Sequence, residues 1–302
     1  MKILTKYSLM LWGMIFGIET IFILFFLAVA RSFGNSSLIE ALLLLVGVFT
    51  ASLIVCAIII LGSPLAREIL STYRQLLKLE NLSHPLLMQL SQKAPGTFHH
   101  SLIVSNLANK AAKSIGADSL LIRVAGFYHD IGKLKNPAYF VENQQNLNAH
   151  EALNNPQKSA QIIIEHVGEG IKLAKEYHFP ADLLAAIKEH HGTTLVSFFY
   201  KAAIKRNLKV NEEKYRYPGP KPLSVEAALL MLADAIEART RLEKQLSPYK
   251  IRQIITESIN EKLEENQLNL SGLSESDLDK IERSFEENLK VVYHQRIVYP
   301  RR

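Results

Sequence analysis

Phe127-Tyr128-His129-Asp130-Ile131-Gly132-Lys133 sets an imidazole and a carboxylate side by side after an apolar helical run. Those two side chains together suit zinc, manganese and iron. Adjacent in sequence, they can serve one ion, or the Asp can bridge two. A lone His-Asp pair at a helix end is common on protein surfaces, so its meaning depends on the partners the chain supplies.

Upstream, residues 98–115 read as a helix with Thr97 as N-cap and Gly116 as stop. Its apolar stripe is Ile103, Leu107 and Ala111, and His100 continues that stripe one turn earlier, pointing inward. His99, about 100° round the helix, need not. Asp118 caps the next helix, which runs through Leu121, Val124 and Ala125 to His129 and Asp130. Downstream, residues 136–152 are polar and read as a loop over the site. Asn154-Asn155-Pro156 opens a helix that carries His166 and stops near Gly168, and residues 170–177 form a further helix. Another helix, 183–191, ends at Gly192, and 193–206 looks helical. The run Tyr217-Pro218-Gly219-Pro220-Lys221-Pro222 is a stiff loop. Ser224 caps a helix over 225–242, and two more helices begin at Tyr249 and about Ser274. No alternating strand pattern of useful length is present, so this part is all-α.

Asp234 lies on a helix face with Leu230, Met231 and Ala238. An unpaired carboxylate there is costly to bury, and no Lys or Arg lies on its face within one turn; a metal would satisfy it. His190 and His191 reach a common ion only near a helix end, which Gly192 provides. The inward-facing set is therefore His100, His129, Asp130, His166, His190, His191 and Asp234.

The 302 residues are enough for a membrane piece and one large core. Residues 7–30 are almost wholly apolar, with Glu19 their only charge, and 38–61 are apolar with Glu40 near one end. Each is long enough to cross about 30 Å of hydrocarbon as a helix. Glu19 reads as a helix–helix contact or a position facing further partner helices. Lys2 and Lys6 precede the first stretch, Arg67, Arg74 and Lys78 follow the second, and only Arg31 lies between them. Both ends then face the cytoplasm, giving a multi-pass protein of the cell membrane with its bulk inside. Cys56, the single cysteine, excludes a disulfide framework. The expected division is two transmembrane helices (1–62), an amphipathic juxtamembrane linker (63–80) and a cytoplasmic helical domain (81–302). A net charge of +6 suits a small anionic ligand or a lipid surface. It falls short of the basic stripe of a dedicated nucleic-acid binder, so no stable nucleic-acid partner is expected.

Several stretches together resemble the HD-domain metal-dependent phosphohydrolases. They are Pro95-Gly96-Thr97-Phe98-His99-His100, Tyr128-His129-Asp130-Ile131-Gly132-Lys133, Ile164-Glu165-His166-Val167, Glu189-His190-His191-Gly192-Thr193-Thr194, Tyr215 to Pro222 and Met231-Leu232-Ala233-Asp234. More narrowly, residues 80–300 resemble the HD domain of the membrane-associated seven-transmembrane HD family, whose PgpH-type members cleave cyclic di-AMP. The resemblance implies two divalent ions, iron or manganese. His100, His129, Asp130 and Asp234 would hold one, and His166, His190, His191 and the bridging Asp130 the other. It also implies hydrolysis of cyclic di-AMP to linear pApA by hydroxide attack at phosphorus. Lys133 is expected to neutralise developing charge. His99, Thr193 and Thr194 are candidates for phosphate contacts, and Tyr139 and Phe140 for stacking on adenine or for packing. Family members carry seven spans and a large extracytoplasmic domain, whereas this chain shows two spans, matching best the last two. Cyclic di-GMP as substrate, an HD-type nuclease or nucleotidase, and a catalytically silent membrane receptor for a cyclic dinucleotide stay open, as does the choice between monomer and homodimer.

Overall fold

The computed structural model describes residues 38–62, 64–144, 148–206, 209–243 and 245–292, with scattered positions between 17 and 28. It divides into two compact units, Met1–Arg74 and Gln75–Arg302. Most of the first expected span, 7–30, and Glu19 lie outside the described residues. The second coincides with helix α1 (Leu38–Gly62), on which Leu45, Val46, Phe49, Leu53 and Ile54 are exposed. Among the described residues no helix is long and apolar enough to cross a membrane. The part of α1 whose side chains are described, 45–57, rises about 20 Å against about 30 Å of hydrocarbon.

The second unit is all-helical. After the end of α2 (Pro64–Leu79), of which 75–79 belong to this unit, and α3 (Pro85–Lys93), α4 (Pro95–Ile115) forms its centre. It packs against α3, α5 (Ser119–Tyr128), α10 (Val225–Leu242) and α12 (Glu275–Val292). Its inward face carries Val104, Leu107, Ala108, Ala111 and Ala112, none of them exposed. Small residues there let neighbouring helices approach closely. The remaining helices are α6 (Ala149–Leu153), α7 (Pro156–Glu176), α8 (Ala181–Glu189), α9 (Ser197–Lys205) and α11 (Pro248–Glu264).

Four expectations are corrected. Helix α4 begins at Pro95, since proline's fixed φ and missing N–H suit a first helical position. Thr97 is therefore buried within the first turn and is no cap: its N–H donates to Asn143 Oδ1 (3.1 Å) and its hydroxyl to Glu142 Oε1 (3.0 Å). Residues 136–152 are more ordered than a loop, holding two 3₁₀ turns, Pro137–Tyr139 and Val141–Asn143, and α6. Of the stretch 193–206 only α9 is helical; residues 194–196 bond instead to 215–217, with Tyr217 N–H donating to Thr194 O (3.0 Å) and Val196 N–H to Tyr215 O (2.8 Å). Leu195 and Arg216 form the one antiparallel bridge among the described residues.

The fourth correction is α7, which runs unbroken through Gly168 and Gly170. Gly170 is a packing residue. The main chain of Gly132 lies against it, and a Cβ on Gly132 would fall 1.8 Å from His166 O and 2.4 Å from Gly170 N. The 3₁₀ turn Ile131–Lys135 thus presses backbone to backbone onto α7, setting the distance between Asp130 and His166.

Candidate metal centre

Five segments deliver the seven side chains. His100 comes from the buried face of α4; His129 closes α5 and Asp130 opens the 3₁₀ turn. His166 comes from the middle of α7 and Asp234 from α10. His190 ends α8, and His191 sits in the turn beyond it, which Gly192 completes at φ +53°.

They form two groups that share Asp130: His100, His129, Asp130 and Asp234, and Asp130, His166, His190 and His191. Within each group the candidate ligand atoms all lie within 4.8 Å of one another. Asp130 divides its oxygens between them. Oδ2 is 3.4 Å from His100 Nε2 and 3.2 Å from His129 Nε2, and Oδ1 is 3.2 Å from His166 Nε2. Asp234 reaches both groups too, with Oδ1 3.1 Å from His100 Nε2 and Oδ2 3.7 Å from His191 Nδ1. The cluster is buried, but the Asp234 side chain is 14% and that of His191 23% exposed, which marks its open side.

The donor set fits a pair of divalent cations on two observations. His129, His166 and His190 each donate Nδ1–H to a main-chain carbonyl one turn back, at Gly126 (2.9 Å), Ile163 (2.5 Å) and Ile187 (2.6 Å). That turns each Nε2 inward, the arrangement of imidazoles that bind metal. The Nε2 atoms face each other, His100 to His129 at 3.3 Å and His166 to His190 at 3.4 Å. In addition, Asp130 Oδ1 is buried without a well-aligned hydrogen-bond donor, an arrangement that a cation would relieve.

Charge is distributed unevenly. Burial alone would lower His100 and His129, but Asp130 and Asp234, with Glu237 on His100, overcome it: His100 is held well above its ordinary value and His129 at about 9. Burial resists ionisation of Asp130 and Asp234, yet the neighbouring cationic groups hold both well below the usual carboxylate range. Burial, with His129 and His166, pushes His190 down to about 3, and burial with His190 pushes His191 well below its ordinary value.

Lys133 lies 2.7 Å from Asp130 Oδ2 and 2.8 Å from Glu142 Oε1, an ion-paired bridge between the cluster and the 3₁₀ turn above it. Despite burial, those carboxylates raise its ammonium further above the ordinary range. The Phe140 ring packs edge-on to His166 with Lys133 Nζ 4.9 Å over it, and Tyr139 packs on His150, so both aromatic rings make packing contacts. His99 is exposed and belongs to neither group. Thr194 donates its hydroxyl to His191 O (2.8 Å), and Thr193 is bonded to Gln267; both brace the His191 turn.

Three participants escaped the sequence reading. Glu237, fully buried, takes His100 Nδ1–H. Glu142 gathers Thr97, Lys133 and Arg241. Tyr217 stacks on His191 at 4.2 Å and 25°. Glu237 carried a signal: it stands one turn past Asp234 on the same face. Glu142 and Tyr217 carried none, because their contacts are made across loops.

Residues 97–239 match the family model described as HD domain. The chain is 43% identical over 233 residues to the cyclic-di-AMP phosphodiesterase PgpH of Bacillus subtilis (strain 168), covering 77% of this chain and 32% of that protein. It is 39% identical over 303 residues to the cyclic-di-AMP phosphodiesterase PgpH of Listeria monocytogenes serotype 1/2a (strain 10403S), covering 97% of this chain and 41% of the relative. The chain thus spans well under half the length of these relatives. Among solved structures, the L. monocytogenes phosphodiesterase PgpH HD domain in complex with cyclic-di-AMP superposes with a TM-score of 0.68 at 42% identity, covering 72% of this chain and all of that one. The chain belongs to the HD-domain family, in its PgpH-type branch.

Proposed function

We propose that this chain is a metal-dependent phosphodiesterase that hydrolyses cyclic di-AMP to linear pApA. The observation that carries this reading is the buried Asp130 carboxylate, whose two oxygens face two separate imidazole clusters. The likeness to a PgpH HD domain solved with cyclic-di-AMP supports the substrate. His100, His129, Asp130 and Asp234 hold one cation and Asp130, His166, His190 and His191 the other; imidazole and carboxylate donors suit iron or manganese. When bound, such a pair makes water a nucleophile at neutral pH and takes up charge from the phosphate. The chain's own part is to fix the spacing through Asp130 and to present Lys133 beside it as a further positive charge. Phe140 and Glu142 cover one side, while Asp234 and His191 leave the other open to substrate.

We further propose that α1 crosses the bilayer, since Leu45, Val46, Phe49, Leu53 and Ile54 on it are exposed, and that the helical domain lies in the cytoplasm. Residues 1–62 then anchor, 63–80 link and 81–302 catalyse. The test is purified protein with Mn²⁺ or Fe²⁺ and either cyclic di-AMP or cyclic di-GMP, read by product mass. Linear pApA is expected. Tight binding of cyclic di-AMP without product, in protein shown to hold both ions, would leave a receptor.

Metal loading is expected to depend on pH. In the metal-free chain His129 keeps its proton up to about pH 9. A cation must displace that proton, so its affinity falls as pH drops below this value, about tenfold per unit for each proton released. Equilibrium dialysis against Mn²⁺ between about pH 6.5 and 8.5 checks it; a flat profile would show that loading displaces no proton from His129.

A further inference from the structure

Glu237 is fully buried, yet among the described residues its only ion pair is with His100 Nδ1, and its Oε1 has no hydrogen-bond partner. A carboxylate is expensive to leave in such a place. Its position explains what it gains. It follows Asp234 by one turn on α10, so one helix face supplies a group that addresses the cluster directly and another that addresses it through an imidazole. The other three imidazoles with inward Nε2 atoms hand Nδ1 to a main-chain carbonyl of their own helix. Among these four only His100 gives Nδ1 to a side-chain carboxylate. Carboxylate support raises the basicity of an imidazole ligand and locks its ring. The two halves are therefore unequal. Asp130, Asp234 and Glu237 surround the His100 half, while the His190 half has Asp130 and, farther off at 3.7 Å from His191, Asp234, with no carboxylate behind its imidazoles.

We propose that Glu237 is a positioning residue for His100, and that through it the position framed by His100, His129, Asp130 and Asp234 holds its cation more tightly than its neighbour does. This rests on the two-cation reading above.

The test counts bound Mn²⁺ per chain as a chelator is raised, so it needs no turnover. The wild-type chain is expected to release one ion first and keep the second. Glu237→Gln, which keeps the acceptor but removes the charge, lowers the affinity for the retained ion by about tenfold, and Glu237→Ala by about a hundredfold. Affinity for the first-released ion stays as it was. His166→Ala is expected to keep a single ion, which the added Glu237→Gln weakens by the same factor. Thermal melting of each metal-free variant reports folding, and if the Ala variant fails to fold, the near-isosteric Gln variant decides. Wild-type affinities for both ions in Glu237→Gln would overturn the role of Glu237 while leaving the two-cation centre standing. A wild-type chain that binds no Mn²⁺ would remove the centre itself.

Discussion

Asp130→Ala is expected to release both cations and cut hydrolysis of cyclic di-AMP by about a thousandfold or more. The size follows from position. Each oxygen of Asp130 serves a different group, so its removal opens both at once, where loss of any one histidine opens one. Several kcal/mol of charge stabilisation depend on the ions, and each factor of ten corresponds to about 1.36 kcal/mol. The same substitution takes one of two carboxylate partners from Lys133, which keeps Glu142, and from His129, which keeps Asp234. Breaking a buried pair outright costs about 3–5 kcal/mol; with a second partner left the loss is smaller, and the metal-free variant melts somewhat lower than the metal-free wild type. Asp130→Asn keeps the shape and separates the two effects. Elemental analysis alongside product formation makes the check. An Asp130→Ala protein with two ions and undiminished turnover would dismantle the assignment.

Gly132→Ala is expected to be the most damaging addition of a single methyl group. Its Cβ would meet the backbone of α7, at His166 O and Gly170 N, and neither atom is the flexible tip of a side chain. Overpacking of this kind costs about 3 kcal/mol or more when nothing can yield. For a domain of this size that lowers the melting temperature by roughly 6–12 °C. If the turn moves off α7 to make room, Asp130 moves away from His166, and metal content falls along with stability. Gly168→Ala is the control: on the same helix, a Cβ there meets nothing within 4 Å and should leave melting and metal loading near wild type. Equal melting of Gly132→Ala and wild type would show that the close approach is not what sets the spacing.

These two cases also show what the sequence made legible. Helix periodicity pointed His100 and Asp234 inward, because each continues an apolar stripe, and the helix stop at Gly192 allowed His190 and His191 to face one centre. All seven stand together in the structure. The same rules misread Gly168 as a stop and began a new helix at Gly170, where one helix runs through both. A glycine inside a helix signals either a stop or a close neighbour, and the neighbour, Gly132, lies far away in the chain. Thr97 illustrates a related limit. It had the chemistry of a cap, but Pro95 had already started the helix, and Asn143 and Glu142 took up its polar groups from across the fold. Local signals thus named the candidate ligands and left a trace of Glu237 beside Asp234, while Glu142 and Tyr217 come in through long-range contacts.

The inward Nε2 pairs, aimed before any ion arrives, carry a practical consequence. Nitrogen-rich cages of this kind follow the general affinity order in which nickel, copper and zinc outcompete manganese and ferrous iron. If the centre holds cations as proposed, a protein recovered from a nickel column is expected to carry nickel, and its activity would then report the chromatography. Stripping and reloading under reducing, oxygen-free conditions belongs before any measurement of turnover.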